Sequence, residues 1–235
     1  TGEYPVYSMT AKDELLLKIP DALLNGQAVV DVIQNCVPNI KDAWQCPIID
    51  LDVVLIAIRM ATYGPNMTMP VKFGTLDQEY SLDLRILLDR LHEQISWTSA
   101  VPVSEDLTVY VRPLTYRASS KFSLSNFEIQ RIIQIVNNQE MDEDAKISMF
   151  NDSLKKMTGA TIDMIVDSIY KIDSPAGSTA NPAFIREFVN NADKTVYDAV
   201  QAHIEQLREA NAIKPMIVDV TDEMREAGVQ GDTTE

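Results

Sequence analysis

Apolar residues recur at helical spacing along most of the chain, and only a few short stretches read as strands. Thr10-Ala11-Lys12-Asp13 forms a capping box ahead of Leu15-Leu16-Leu17, because Thr10 can accept an orphan amide while Asp13 reaches back to the amide of Thr10. Pro20 ends or breaks that helix, and Asn25-Gly26 is a further stop. Ala28 to Val37 follows with Val29, Val30, Ile33 and Val37 on one face, and Pro38 and Pro47 bracket a loop that holds Trp44. Asp50 reads as the N-cap of a helix over Leu51 to Thr62, closed by Gly64-Pro65. That helix is apolar nearly all round, so it is expected at the centre. Val71-Lys72-Phe73 and Glu79-Tyr80-Ser81 read as a hairpin across a Gly-containing turn. Leu84, Leu87, Leu88, Leu91 and Ile95 mark an amphipathic helix, and Leu107 to Val111 a strand ending at Arg112-Pro113.

From Ser120 onward the pattern is helical. Ser125-Asn126-Phe127-Glu128 reads as a capping box for a helix with Phe127, Ile132, Ile135 and Val136 on its apolar side. Asp142-Glu143-Asp144 opens the next helix, where carboxylates complement the macrodipole, and Met149, Phe150 and Leu154 continue it. Gly159 separates it from a helix over Thr161 to Ile172, and Ser174-Pro175-Ala176-Gly177-Ser178 reads as a flexible connection. Asn181-Pro182 caps another helix, and Asp193 starts a long one with Val196, Tyr197, Val200, Ile204 and Leu207 as its stripe. Pro215 closes that helix, Met216 to Val220 forms a short strand, Thr221 caps a last turn, and Gly228 to Glu235 is loose. The expected fold is α+β and mainly α. A mixed region over residues 1–117 carries the hairpin near 70–82, and a helical bundle fills residues 118–235.

Composition narrows the function classes. The 235 residues are 46% hydrophobic and 23% charged, enough apolar material for a substantial core. Asp and Glu number 35 against 20 Lys and Arg, a net charge of -15, so nucleic acid and anionic membrane are disfavoured partners. The longest apolar run, Val53 to Ile58, stops at Arg59, far short of the roughly 20 residues that span a bilayer. Residues Gly2 to Pro5 lack the basic end and apolar centre of a secretory signal, so cytoplasmic residence is expected. The missing initiator Met reads as processing or truncation. Cys36 and Cys46 are too few for a disulfide framework and fit a reducing compartment.

Candidate chemistry is sparse. There is no Gly-rich phosphate loop, nucleophile elbow, His-Glu-x-x-His or EF-hand spacing. His92 and His203 lie among charged helical neighbours and nominate no general base. Both cysteines read as small buried thiols, with no base or positive field to activate them. Asp50-x-Asp52 is explained by capping rather than by a hard-cation site. Met60, Met67 and Met69 cluster in sequence and are candidates for an adaptable apolar partner surface, core packing being the simpler reading. No cofactor, metal or catalytic residue is expected, and the chain is not expected to be an enzyme.

A longer pattern emerges when the segments are taken together. It begins with Met9-Thr10-Ala11-Lys12-Asp13-Glu14-Leu15-Leu16-Leu17-Lys18 and Pro20-Asp21-Ala22-Leu23-Leu24-Asn25-Gly26. Asp50-Leu51-Asp52 and Ala57-Ile58-Arg59-Met60-Ala61-Thr62-Tyr63-Gly64 continue it. Arg112-Pro113-Leu114-Thr115-Tyr116, the Arg131 helix ending Val136-Asn137-Asn138, and Phe184 to Lys194 then follow in order. Over most of residues 8–220 the chain resembles the baseplate hub assembly proteins of T-even-like phages. Tyr63 and Arg112, within these segments, join the methionines as candidate partner contacts. Relatives often carry Cys-Pro-x-Cys where this chain has Met69-Pro70-Val71-Lys72. Met and Lys cannot replace two thiolates, so metal is expected to be absent and the hairpin to hold through Phe73 and Tyr80. Relatives also tend to extend further, which reads Gly231 to Glu235 as an early stop or a trimmed end.

The resemblance implies a non-catalytic protein that helps build the central hub of the baseplate. It would hold the tape-measure protein or hub subunits in the host cytoplasm until the tube can grow. A structural hub subunit retained in the virion tail is the alternative, and self-association is left open. A cell-wall hydrolase would need paired carboxylates at a defined separation, for which no motif speaks.

Overall fold

Helix caps and strand pairings organise the computed structural model, which describes residues 3–73, 76–94, 97–138, 142–214, 218–226 and 233–234. Helix α1 (Ala11–Leu16) opens on the expected box: Asp13 N donates to Thr10 Oγ1, and Thr10 N donates to Asp13 Oδ2 at 2.8 Å. Pro20 starts rather than ends a helix, α2 (Pro20–Leu24), since proline has no amide to lose at a first helical position. Gly26, at φ 79°, turns the chain into α3 (Gln27–Cys36). A Cβ there would come within 3.0 Å of the Tyr116 hydroxyl and 3.1 Å of the Trp44 ring, so both backbone conformation and close approach demand glycine.

Helix α4 (Ile48–Tyr63) begins after Pro47, not at Asp50, which sits in its first turn without capping it. The chain enters this helix pinned to a later segment, with Ile48 N donating to Leu114 O at 2.9 Å and Tyr116 N to Cys46 O at 2.8 Å. Val30, Val32, Ile33, Cys36, Val37, Ala43, Leu51 and Ile58 form one buried core. The Trp44 ring stacks on Tyr116 at its edge, centroids 5.4 Å apart. Apart from the buried Leu51 and Ile58, α4 is half-covered, with Asp50, Ala61 and Tyr63 exposed.

Strands β1 (Asn66–Phe73) and β2 (Leu76–Asp83) pair antiparallel over eight residues each, longer than the sequence pattern implies. Pro70 lies inside β1, tolerated because a two-stranded ribbon leaves one edge unpaired. Tyr80 is half-buried opposite Met69; the Phe73 side chain expected to pack with it lies outside the described side chains. Helix α5 (Leu84–Gln94) buries Leu84 and Leu91, and Ile95 lies outside the described residues.

The second core contains a sheet, not only helices. Strands β3 (Ala100–Ser104), β4 (Leu107–Val111), β5 (Ile169–Ser174) and β6 (Gly177–Thr179) pair antiparallel in that order. Ile169 to Ile172, expected as helix, is therefore strand. Its β-branched Ile169 and Ile172 are buried beside Val109 and Val111, and this long-range pairing overrides the helical pattern. Ser174 to Ser178 is a tight hairpin, with Gly177 at φ 123° supplying the turn. The pairing of β4 with β5 joins strands from either side of residue 117.

Between those strands runs a helical hairpin, α6 (Tyr116–Asn138) and α7 (Glu143–Ser168), of 23 and 26 residues. Helix α6 starts after Thr115, whose hydroxyl accepts from Ala118 N at 3.3 Å, so Ser125 lies inside the helix and caps nothing. Gly159 likewise lies inside α7. At 1.5 Å per residue the two helices are about 35–39 Å long. Only Ile162, Met164, Ile165 and Val166 of α7 enter the second core, so the far end of the hairpin extends beyond it.

Helix α8 (Pro182–Asn191) follows its Asn181 cap, and α9 (Lys194–Ala210) its Asp193 cap, with Val200 and Leu207 buried. Strand β7 (Val218–Asp219) pairs with β8 (Thr233–Thr234) around α10 (Asp222–Glu226), whose Met224 N donates to Thr221 Oγ1. Pro215, Met216 and most of the segment from Gly228 onward lie outside the described residues. The fold is α+β and mainly α.

Candidate partner-binding surface

Tyr63 ends α4 because Gly64, at φ 85°, stops the helix and sends the chain into β1. Its hydroxyl donates to Glu14 Oε1 of α1 at 2.7 Å, and the Arg59 guanidinium lies 4.3 Å from its ring centroid. The hydrogen bond to Glu14, with some burial and the Glu14 charge, holds the phenol above its ordinary range against the lowering effect of Arg59. Tyr63 thus clamps α1 to the end of α4 while remaining 52% exposed. Met60 stands one turn before that end, and Met67 and Met69 share one face of β1 opposite Leu82 and Tyr80. All three methionines are half-buried, so they present less free apolar surface than their spacing implies. Met69-Pro70-Val71-Lys72 forms the middle of a paired strand.

Arg112 is exposed but engaged. Its amide donates to Ser168 O at 2.7 Å and its Nε to Asp167 O at 3.3 Å, which places a cation on the last carbonyls of α7 where the macrodipole favours it.

The exposed apolar residues that sequence reasoning missed lie elsewhere. Tyr4, Tyr7, Leu15, Ile19, Leu23 and Leu24 stand on the N-terminal strap, α1, α2 and the link between the two helices, with Leu15 63% exposed. Met9 N donates to Thr62 Oγ1 at 2.9 Å and Tyr7 N to Cys36 O at 2.8 Å, so the strap is fixed to the first core beneath. The repeated leucines were the available signal. Pattern alone cannot tell a leucine that faces the core from one that faces outward.

A cleft of about 360 Å³ opens between α4, α6, α7 and α9, lined among others by Asp52, Phe122, Ile165, Ile204, Glu205 and Arg208. Burial pushes the Asp52 carboxyl up, and that of Asp50 beside it. No histidine, cysteine or lysine is among the lining residues. Burial also pushes the Cys36 thiol up, aided by the charge of Asp13, and the Cys46 thiol up, aided by Asp50 and Asp42, so neither is poised as a thiolate nucleophile. His92 is exposed, and His203 Nε2 lies 2.8 Å from Thr98 O. Among the described residues no three His, Cys, Asp or Glu side chains converge as metal ligands, and no helix is long and apolar enough to cross a membrane. What this architecture offers is apolar surface.

The profile of the family described as T4 bacteriophage base plate protein matches residues 3–217. The chain belongs to that family. Neither a comparison with curated proteins nor one with solved structures gives a match. The family match spans both cores of this baseplate protein, the sheet and the α6–α7 hairpin, and takes in the exposed strap as well as Tyr63 and Arg112.

Proposed function

We propose that the chain is a non-catalytic assembly protein of the phage tail baseplate, binding the tape-measure protein or hub subunits in the host cytoplasm while the hub is built. The observation that carries this reading is the group of outward-facing Tyr4, Tyr7, Leu15, Ile19, Leu23 and Leu24. Exposed apolar side chains gathered on one part of a soluble protein mark interaction sites. Tyrosine and leucine side chains carried on a strap and short helices held to the first core lose little freedom on docking, which favours affinity. The net charge of -15 serves solubility and disfavours nucleic acid. Affinity for the tail partner is accordingly apolar, and falls less than about tenfold, roughly 1.4 kcal/mol, between low and physiological salt.

The alternative is a hub subunit retained in the tail. Quantitative mass spectrometry of purified virions separates the two. A transient assembly protein is absent or far below the copy number of the hub subunits, whereas a stoichiometric amount in the virion makes the chain a structural component.

A further inference from the structure

Helix α7 carries one apolar seam along its length, and only half of it is covered. Ile147, Phe150, Leu154, Met157, Thr161, Met164 and Ser168 follow one another at alternating steps of three and four residues, the spacing of a coiled-coil seam. At the sheet end Ser168 is fully buried and Met164 packs on the second core. Towards the tip Ile147, Phe150, Leu154 and Met157 are 56%, 45%, 39% and 40% exposed. Towards the tip the helix buries a different face against α6: Ser153 is 2% exposed, and Ala160 and Asp163 line the space facing Ala118, Phe122 and Ser125, the two faces meeting only at Met164, beyond the bare part of the seam. At about 100° per residue that face lies roughly a quarter turn from the bare seam, so the seam is not spent on the helical hairpin.

Three properties of the seam select its occupant. Its spacing is symmetric about Asp152, so an antiparallel copy sets Ile147 against Met157 and Phe150 against Leu154. Each layer then joins side chains of different shape, whereas a parallel copy opposes Phe150 to Phe150 and aligns the helix dipoles unfavourably. Residues 143–157 also carry three acidic and three basic side chains, so this segment is neutral while the rest of the chain bears the whole net charge of -15. It is a region where two copies approach without charge repulsion between the contacting segments. Finally, the seam is continuous with the part already covered by the chain's own core.

We propose that the bare seam of α7 is the interface of an antiparallel homodimer, a second copy of this chain docking across a two-fold axis at Asp152. Such a contact is isologous and closes on itself. With α6 a quarter turn away on each copy, the two hairpins form a four-helix arrangement. The proposal is independent of the surface on α1 and α2. The seam is about 15 Å long, shorter than a standard stable interface provides, so dimerisation is concentration-dependent, in the micromolar range. Salt tightens it by screening the repulsion between the acidic bodies.

Sedimentation of the full chain across micromolar concentrations, at low and physiological salt, tests this. The wild type shifts from monomer to dimer, more readily at the higher salt. Phe150→Lys and Leu154→Glu each remain monomeric with unchanged circular dichroism, since both side chains are already substantially exposed. Mixing the two variants restores dimer, because the antiparallel register sets one new charge against the other and leaves the second layer intact. Phe127→Glu dimerises as wild type, its side chain lying about 200° round α6 from Ser125. A wild type that stays monomeric throughout, a dimer that survives either charged variant, or a mixture that fails to dimerise overturns the proposal. So does a monomer whose α7 variants lose a tail protein, which assigns the seam to that partner.

Discussion

Asn35 Nδ2 donates to Asp13 Oδ1 at 2.8 Å, joining α3 to α1 across 22 positions of chain at a carboxylate that is 2% exposed. The same carboxylate accepts from the Thr10 amide and hydroxyl at 2.8 and 2.7 Å. It closes a local cap and a long-range contact at once, and sets the helix that presents Leu15.

Burial pushes the Asp13 carboxyl up, but hydrogen bonds from Thr10 and Asn35, with the charge of Lys12, carry it below the ordinary aspartate range. A depressed folded-state value means that stability from this group is present above the unfolded value and lost as pH falls through the folded one. Asp13→Ala is expected to cost about 1–2 kcal/mol at neutral pH, through the lost capping box and the lost hydrogen bonds from Thr10 and Asn35 to a charged acceptor. Denaturant melts of Asp13→Asn and wild type should converge as the pH is lowered into the acid range; parallel curves at every pH would remove Asp13 from this role.

Asp52 behaves in the opposite sense. Burial raises its carboxyl, so its contribution is fully present below the unfolded value and is lost as pH rises through the folded one. At neutral pH the ionised group opposes folding. Asp52→Asn is expected to raise the melting temperature at neutral pH, with the gain vanishing in acid, and thermal unfolding at both pH values checks it. A lower melting temperature at neutral pH would show that the carboxylate is stabilised where it stands.

Gly159 lies inside α7, and a Cβ placed there meets nothing within 4 Å. Gly159→Ala should therefore stabilise the protein by about 0.5–1 kcal/mol, the ordinary helix-interior gain. Destabilisation in urea melts would instead mark a break in the helix.

The caps were legible in the sequence because a cap is local chemistry. Thr10 with Asp13, Asn181 with Pro182, Asp193 and Thr221 each start a helix where their hydrogen bonds place it. Ser125, Gly159 and Asp50 carry the same local signals. There the packing of α6 on α7, and the anchoring of Ile48 to Leu114, decided the outcome instead. Strand β5 was missed because Ile169 and Ile172 are placed by partners some 60 residues away on β4, whereas β3 and β6 pair with their sequence neighbours but carry weak strand signals, Pro102 in one and Gly177-Ser178 in the other. Of the candidate contacts, Tyr63 reaches the surface beside α1 while Arg112 is engaged at the end of α7. The exposure of Leu15, Leu24, Phe150 and Leu154 could not be read at all, since an apolar face has the same period whether its own chain or a partner covers it.

The central claim, that this baseplate protein acts by docking tail proteins on the apolar surface of α1 and α2, is tested most directly by affinity capture from infected cells. Proteins retained by the wild-type chain are quantified beside those retained by the double variant Leu15→Glu and Leu24→Glu. Both side chains are more than half exposed, so the variant should fold as wild type. The tape-measure protein or hub subunits are expected to be enriched with the wild type and lost with the variant. Retention of no tail protein, or equal retention by both chains, would contradict the account.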